Sequence, residues 1–166
     1  AFMDCSPKHS ICPKCHELDH LIVLRSFGKF FGLAGLRLGC AVMRPDLAAD
    51  LTDRIGPWAI AGPALAIACT AFGDRAWQSG MRNQLSDDAK RLDALIDAHS
   101  DLALLGGTSL FRLYHGKNAT GLADHLGTQG ILVRLFDDNA GRIRFGLPGR
   151  EKDWQRLERA LAVFRN

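Results

Sequence analysis

From Arg25 to Gly39 the chain reads R-S-F-G-K-F-F-G-L-A-G-L-R-L-G. A hydroxyl (Ser26), an amine (Lys29) and a guanidinium (Arg37) stand among three glycines, Gly32, Gly35 and Gly39. The apolar run Leu21, Ile22, Val23, Leu24 comes directly before them. The pattern predicts a strand that delivers a lysine into a glycine-rich turn. Such a group of side chains suits a phosphorylated aldehyde. Burial beside a second fixed cation, which Arg37 could supply, favours the neutral amine that a lysine nucleophile needs. A guanidinium fork offers paired hydrogen bonds to a phosphate, Ser26 adds another donor, and glycines let the backbone approach closely.

Ser-x-x-Lys by itself also occurs in penicillin-binding proteins and serine β-lactamases, which need S-D-N and K-T-G elements as well. This chain has only Ser86-Asp87-Asp88 and no K-T-G. The pair Ser26-x-x-Lys29 followed by Arg37 instead resembles the cofactor-lysine loop of the pyridoxal-phosphate enzymes of the aspartate aminotransferase fold. Within them, S-F-G-K-F-F-G-L-A-G-L-R-L-G is most similar to the L-threonine O-3-phosphate decarboxylases of cobalamin biosynthesis, close relatives of histidinol-phosphate aminotransferases. The stretches G-G-T-S-L-F-R-L, G-I-L-V-R and R-I-R-F-G-L-P resemble the same family in order and spacing, so the likeness covers nearly everything after Asp19.

That resemblance implies pyridoxal 5'-phosphate as cofactor, with Lys29 as the catalytic lysine that joins it and Ser26 and Arg37 binding its phosphate. It implies Arg142 as the grip on a substrate carboxylate and Arg134 as a contact to a substrate phosphate. Arg144 lies one strand step beyond Ile143 and should share the face of Arg142; of the two, Arg142 is taken as the substrate contact. The implied activity is decarboxylation of L-threonine O-3-phosphate to (R)-1-amino-2-propanol O-2-phosphate, with histidinol-phosphate-type transamination as the alternative. The implied fold is α/β: the C-terminal part of the large cofactor domain over residues 1–76, then a linking helix and an α+β small domain over 77–166. A homodimer with a small phosphorylated amino-acid substrate is the implied assembly.

Composition agrees with a folded domain. The 166 residues are 47% hydrophobic, enough to bury a core. The 21 basic and 18 acidic residues are interspersed and leave a net charge of +3, which argues against a nucleic-acid partner. No run approaches the roughly 18 consecutive apolar residues of a membrane span, and no signal-like segment opens the chain, so a cytoplasmic protein is expected. Five cysteines, an odd number in a core-rich chain, are expected to be reduced thiols.

The chain opens on Ala1-Phe2-Met3-Asp4, which reads as the end of a strand already begun and as the start of the C-terminal part of a longer enzyme. In the resembled family an aspartate facing the cofactor's pyridine nitrogen would lie before Ala1. Cys12-Pro13-Lys14-Cys15-His16 fits the haem-attachment spacing, and with Cys5, His9 or His20 could hold zinc; no second C-x-x-C accompanies it. A surface loop is the plainer reading. A zinc-binding module over Cys5 to His20, or a non-catalytic remnant of the fold, stays open as a function of another class.

Further on, Cys40 to Met43 reads as a strand and Arg44-Pro45-Asp46 as a helix start, with Leu47, Leu51 and Ile55 on one face before Gly56-Pro57. Trp58 reads as packing or as part of an interface. Ala64 to Phe72 reads as a buried helix. Trp77 to His99 is the clearest helix, with Met81, Leu85, Leu92, Leu95, Ile96 and His99 on one face and Asp87, Asp88, Lys90, Arg91 and Asp93 elsewhere. Then follow a strand Leu102 to Leu105, a Gly106-Gly107 turn, a strand Thr108 to His115, a helix Ala119 to Gln129, strands Ile131 to Arg134 and Arg142 to Leu147, and an amphipathic helix Glu151 to Phe164.

Overall fold

The computed structural model describes residues 1–164; the last two positions of the expected 77–166 segment lie outside the described residues. The chain forms two compact units, Ala1–Gly80 and Met81–Asn166, and the division falls inside a long helix.

The first unit begins with three 3-10 turns, Met3–Cys5, Pro7–His9 and Cys12–His16. Ala1 to Asp4 is therefore not the end of a strand. The Ser6 N–H closes a turn onto the Met3 carbonyl, Pro7 has no N–H for a ladder, and the Asp4 carboxylate is held by the Arg25 guanidinium. A two-stranded antiparallel hairpin follows, β1 (Val23–Ser26) with β2 (Gly39–Val42), in the register Val23↔Val42 and Ser26↔Gly39. The strand starts two residues later than the apolar run suggests, because the Leu21 N–H is still turned back onto the Leu18 carbonyl.

Helix α1 (Pro45–Ile55) has proline in its first turn and ends where the Gly56 N–H meets the Thr52 carbonyl. Helix α2 (Gly62–Gly73) buries only Ala64 and Ala68. Leu65 and Ile67 are 51% and 45% exposed, so the expectation of a buried helix is not met. An all-round apolar helix is covered only where neighbours surround it, and here small residues four apart make the one covered face. Gln78, buried at the start of α3 (Arg75–His99), donates to the Ala71 and Phe72 carbonyls at 2.9 and 3.0 Å, satisfying the end of α2.

The second unit is a four-stranded antiparallel sheet in the order β3-β4-β6-β5, formed by Ala103–Thr108, Phe111–His115, Arg142–Gly146 and Arg134–Leu135 respectively. Its core joins Leu92 and Ile96 of α3, Tyr114, Ile143 and Phe145 of the sheet, Leu122 and Leu126 of α4 (Ala119–Thr128), and Trp154, Leu157 and Leu161 of α5 (Glu151–Val163). Gly106-Gly107 is not the turn. Both residues lie within β3, where the register shifts between Leu104 and Gly106, and the chain reverses at Ser109-Leu110. Gly107, just past that shift, has φ +141°, and a Cβ there would stand 2.4 Å from the Phe111 carbonyl oxygen, so only glycine fits this position. β5 is shorter and later than expected because the Ile131 N–H is spent on the Leu126 carbonyl at 2.8 Å.

Asp93 is the other departure. It faces the sheet, where Arg112 donates to it twice, at 2.8 and 2.7 Å, and the Tyr114 hydroxyl once, at 2.6 Å. Burial alone would raise the Asp93 carboxyl, but these hydrogen bonds and the guanidinium charge outweigh it and hold it below the usual carboxylate range. Burial and the same carboxylate push the Tyr114 phenol well up.

Candidate active site

The lysine loop is the 12-residue connection, residues 27–38, between β1 and β2. Its side chains divide by chemistry. Phe27, Phe30 and Phe31 are buried, while Lys29 and Arg37 are exposed and Ser26 is half-buried. Phe27 stacks obliquely on Phe72 with ring centroids 4.6 Å apart and on Phe31 at 5.4 Å; Phe30 and Phe31 reach Trp77 at 5.5 and 6.0 Å. Tilted and edge-on pairs at these separations are favourable. The aromatic residues thus pin the loop to α2 and α3, while Lys29 between them in the chain is exposed.

Backbone bonds hold the loop in one shape. The Gly32 N–H closes a turn on the Lys29 carbonyl at 2.9 Å, and the Leu33 N–H bridges back to the Phe27 carbonyl at 2.9 Å. Gly32 has φ +67°, a conformation open to glycine at no steric cost. The Gly28 N–H donates to Ser26 Oγ at 3.1 Å, which orients the hydroxyl and leaves its hydrogen for another acceptor. Arg37 ends the 3-10 turn Ala34–Leu36 in the left-handed region, φ 52° and ψ 37°, while its Nη1 donates to the Ala34 carbonyl at 3.2 Å. That conformation costs a non-glycine residue about 1–2 kcal/mol. Arg37 also lies two residues before Gly39, the cross-strand partner of Ser26, so Ser26, Lys29 and Arg37 belong to one hairpin end.

Arg134 and Arg142 belong to the second unit. The register Arg134↔Arg144 and the alternation along β6 put Arg134, Arg142 and Arg144 on one sheet face, opposite the buried Ile143 and Phe145. Arg144 lies over the Phe111 ring at 5.0 Å and Arg134 over Phe136 at 5.5 Å. Arg142 has the Asp138 carboxylate 4.0 Å away.

Among the described residues, no three His, Cys, Asp or Glu side chains gather into a group able to hold a metal. The cysteine- and histidine-rich segment is instead a series of tight turns in which Cys15 is buried and donates to the Val42 carbonyl at 3.3 Å. No helix among the described residues is long and apolar enough to cross a membrane.

Residues 1–161 match the family described as aminotransferase class I and II. The chain belongs to that family. Two threonine-phosphate decarboxylases are similar to this class I and II chain throughout. That of Pseudomonas aeruginosa is 42% identical over 99% of this chain and 49% of its own length, and that of Sinorhizobium sp 40% identical over 98% and 48%. The chain thus spans about half the length of the curated relatives it matches. Among solved structures, the histidinol-phosphate aminotransferase of Sinorhizobium meliloti in complex with pyridoxal-5'-phosphate superposes with a TM-score of 0.84 at 22% identity, covering 98% of this chain and 46% of that one. The fold is that of the fold type I, aspartate aminotransferase-like enzymes.

The donor set of the hairpin fits such a cofactor: an exposed primary amine for an aldehyde, and a guanidinium with an oriented hydroxyl for a phosphate. Two contributors to the hairpin are set by the fold. The aromatic pinning has a local trace in Phe27, Phe30 and Phe31. The left-handed backbone of Arg37 has none, since its residue type argues against it.

Proposed function

We propose that this chain serves pyridoxal-phosphate-dependent decarboxylation of L-threonine O-3-phosphate to (R)-1-amino-2-propanol O-2-phosphate in cobalamin biosynthesis. The observation that carries the reading is the exposed Lys29 amine on an aromatic-pinned hairpin beside Ser26 and Arg37, in a chain 40–42% identical to threonine-phosphate decarboxylases. Lys29 would hold the cofactor's aldehyde end, and Ser26 and Arg37 its phosphate. When bound, pyridoxal phosphate supplies a conjugated ring that takes up the electrons of a bond broken at the substrate α carbon.

The chain's own residues do the rest. Arg142 holds the substrate carboxylate and Arg134 the substrate phosphate, each through a guanidinium fork. Carbon dioxide leaves and a proton takes its place on the α carbon, delivered from Lys29 Nζ. Histidinol-phosphate-type transamination is the second reading, favoured by the same hairpin: an amine at Lys29 could equally remove the α proton and leave the carboxylate in place.

Homodimeric assembly and a cytoplasmic setting go with this proposal. Leu51, Ile55, Trp58, Ile60, Leu65 and Ile67 present exposed apolar surface of the kind that association covers. A reducing compartment would keep the cysteines as thiols.

The test is borohydride reduction of the full-length protein after addition of pyridoxal phosphate, followed by peptide mapping. Label confined to Lys29, abolished in K29A, is expected, with carbon dioxide and aminopropanol phosphate as products from L-threonine O-3-phosphate. Label scattered over several lysines would overturn the assignment of Lys29. Amino transfer without carbon dioxide release would overturn decarboxylation in favour of the second reading.

A further inference from the structure

Cys12-Pro13-Lys14-Cys15 takes no part in the proposed reaction, yet its geometry suits a chemistry of its own. Cys12–His16 is a 3-10 helix, in which side chains three apart eclipse one another. Three steps of about 2 Å separate the two Cα atoms by roughly 6 Å, within the span of a disulfide. Both thiols are free. Cys12 is half-buried and open to reagents, whereas Cys15 is fully buried, with its thiol donating to the Val42 carbonyl at 3.3 Å. Val42 pairs with Val23 at the open end of the hairpin that carries Lys29. A tetrahedral metal needs further ligands, and none gather here among the described residues. A disulfide needs only the two sulfurs.

We propose that Cys12 and Cys15 form a reversible redox pair, closed by a small-molecule disulfide, and that closure withdraws the Cys15 thiol from Val42. The Cys12 thiolate attacks the reagent's S–S bond, forming a mixed disulfide and expelling one thiolate. The Cys15 thiolate then attacks the Cys12 sulfur and expels the second. Two electrons pass from the protein to the reagent, and the two protons released by Cys12 and Cys15 complete two free thiols. Exposure makes Cys12 the entry point, and position makes Cys15 the resolving thiol. In a reducing compartment such a bond is transient and suited to sensing.

Lys14 lies between the two cysteines, so trypsin provides a direct test. The full-length protein is reduced, exposed to oxidised glutathione, alkylated and digested without reductant. Residues 9–14 and 15–25 are expected to remain joined as one species that separates on reduction and is absent in C12S. Amide hydrogen exchange over 39–42 is expected to rise on oxidation in the wild type and stay constant in C12S. The proposal is overturned if both peptides appear separately with alkylated cysteines, if Cys15 links to another cysteine, if one zinc per chain shields the pair, or if exchange is unchanged once the disulfide has formed.

Discussion

Replacing Phe27 tests whether the aromatic pinning of the loop presents the lysine. Phe27 is not one of the candidate cofactor or substrate residues, yet it is 1% exposed, with its ring 4.6 Å from Phe72 of α2 and 5.4 Å from Phe31. Truncating a buried phenylalanine to alanine costs about 3–5 kcal/mol in lost burial and cavity formation. F27L keeps most of the apolar volume and loses the two ring pairs, for which about 1–2 kcal/mol is expected. The Leu33 N–H bond to the Phe27 carbonyl survives both changes, so the damage falls on packing rather than on the turn. Urea unfolding of the full-length protein, followed by tryptophan fluorescence, gives the stability difference, and an absorbance titration gives pyridoxal-phosphate affinity. Each 1.4 kcal/mol needed to restore the loop weakens binding about tenfold, so F27A is expected to bind at least tenfold more weakly and F27L to fall between it and the wild type. A stability loss below 1 kcal/mol in F27A, or unaltered cofactor affinity, would refute the pinning argument.

The clamp on Asp93 makes a prediction about pH. D93N should cost about 2–3 kcal/mol at neutral pH, because it removes a charged acceptor from Arg112 and Tyr114 while some solvent still reaches the pair. The folded-state carboxyl lies below its unfolded value, so this contribution is full above the ordinary carboxylate range and is lost as pH falls through the depressed value. Unfolding curves for wild type and D93N should therefore converge in acid; a constant gap would refute the assignment. Within β3, G107A should cost about 2–4 kcal/mol, since a side chain meets both the Phe111 carbonyl and an unfavourable φ. A thermal melt within a degree of wild type would show that β3 can shift its register instead.

The order of the residues carries the local chemistry of this chain. Ser26, Lys29 and Arg37 are close in the chain, and a hairpin keeps close residues together, so the candidate cofactor groups were legible before any fold was known. The long apolar period of α3 and the inward Trp154, Leu157 and Leu161 of α5 were legible for a similar reason: a helical period depends only on residues a few positions apart. Features that depend on distant partners emerge only in the folded chain. Asp93 reads as one more exposed acid on a charged helix until Arg112 and Tyr114, about twenty residues away, turn it inward. Gly106-Gly107 reads as a turn until the pairing with β4 places it inside β3, just past a bulge at Leu105. The α2 sequence specifies an apolar surface but not what covers it, and nothing near Cys15 in the chain indicates that its thiol is buried and donates to the Val42 carbonyl of β2. Burial and hydrogen-bond partnership belong to pairs of segments, which no single stretch of residues can encode.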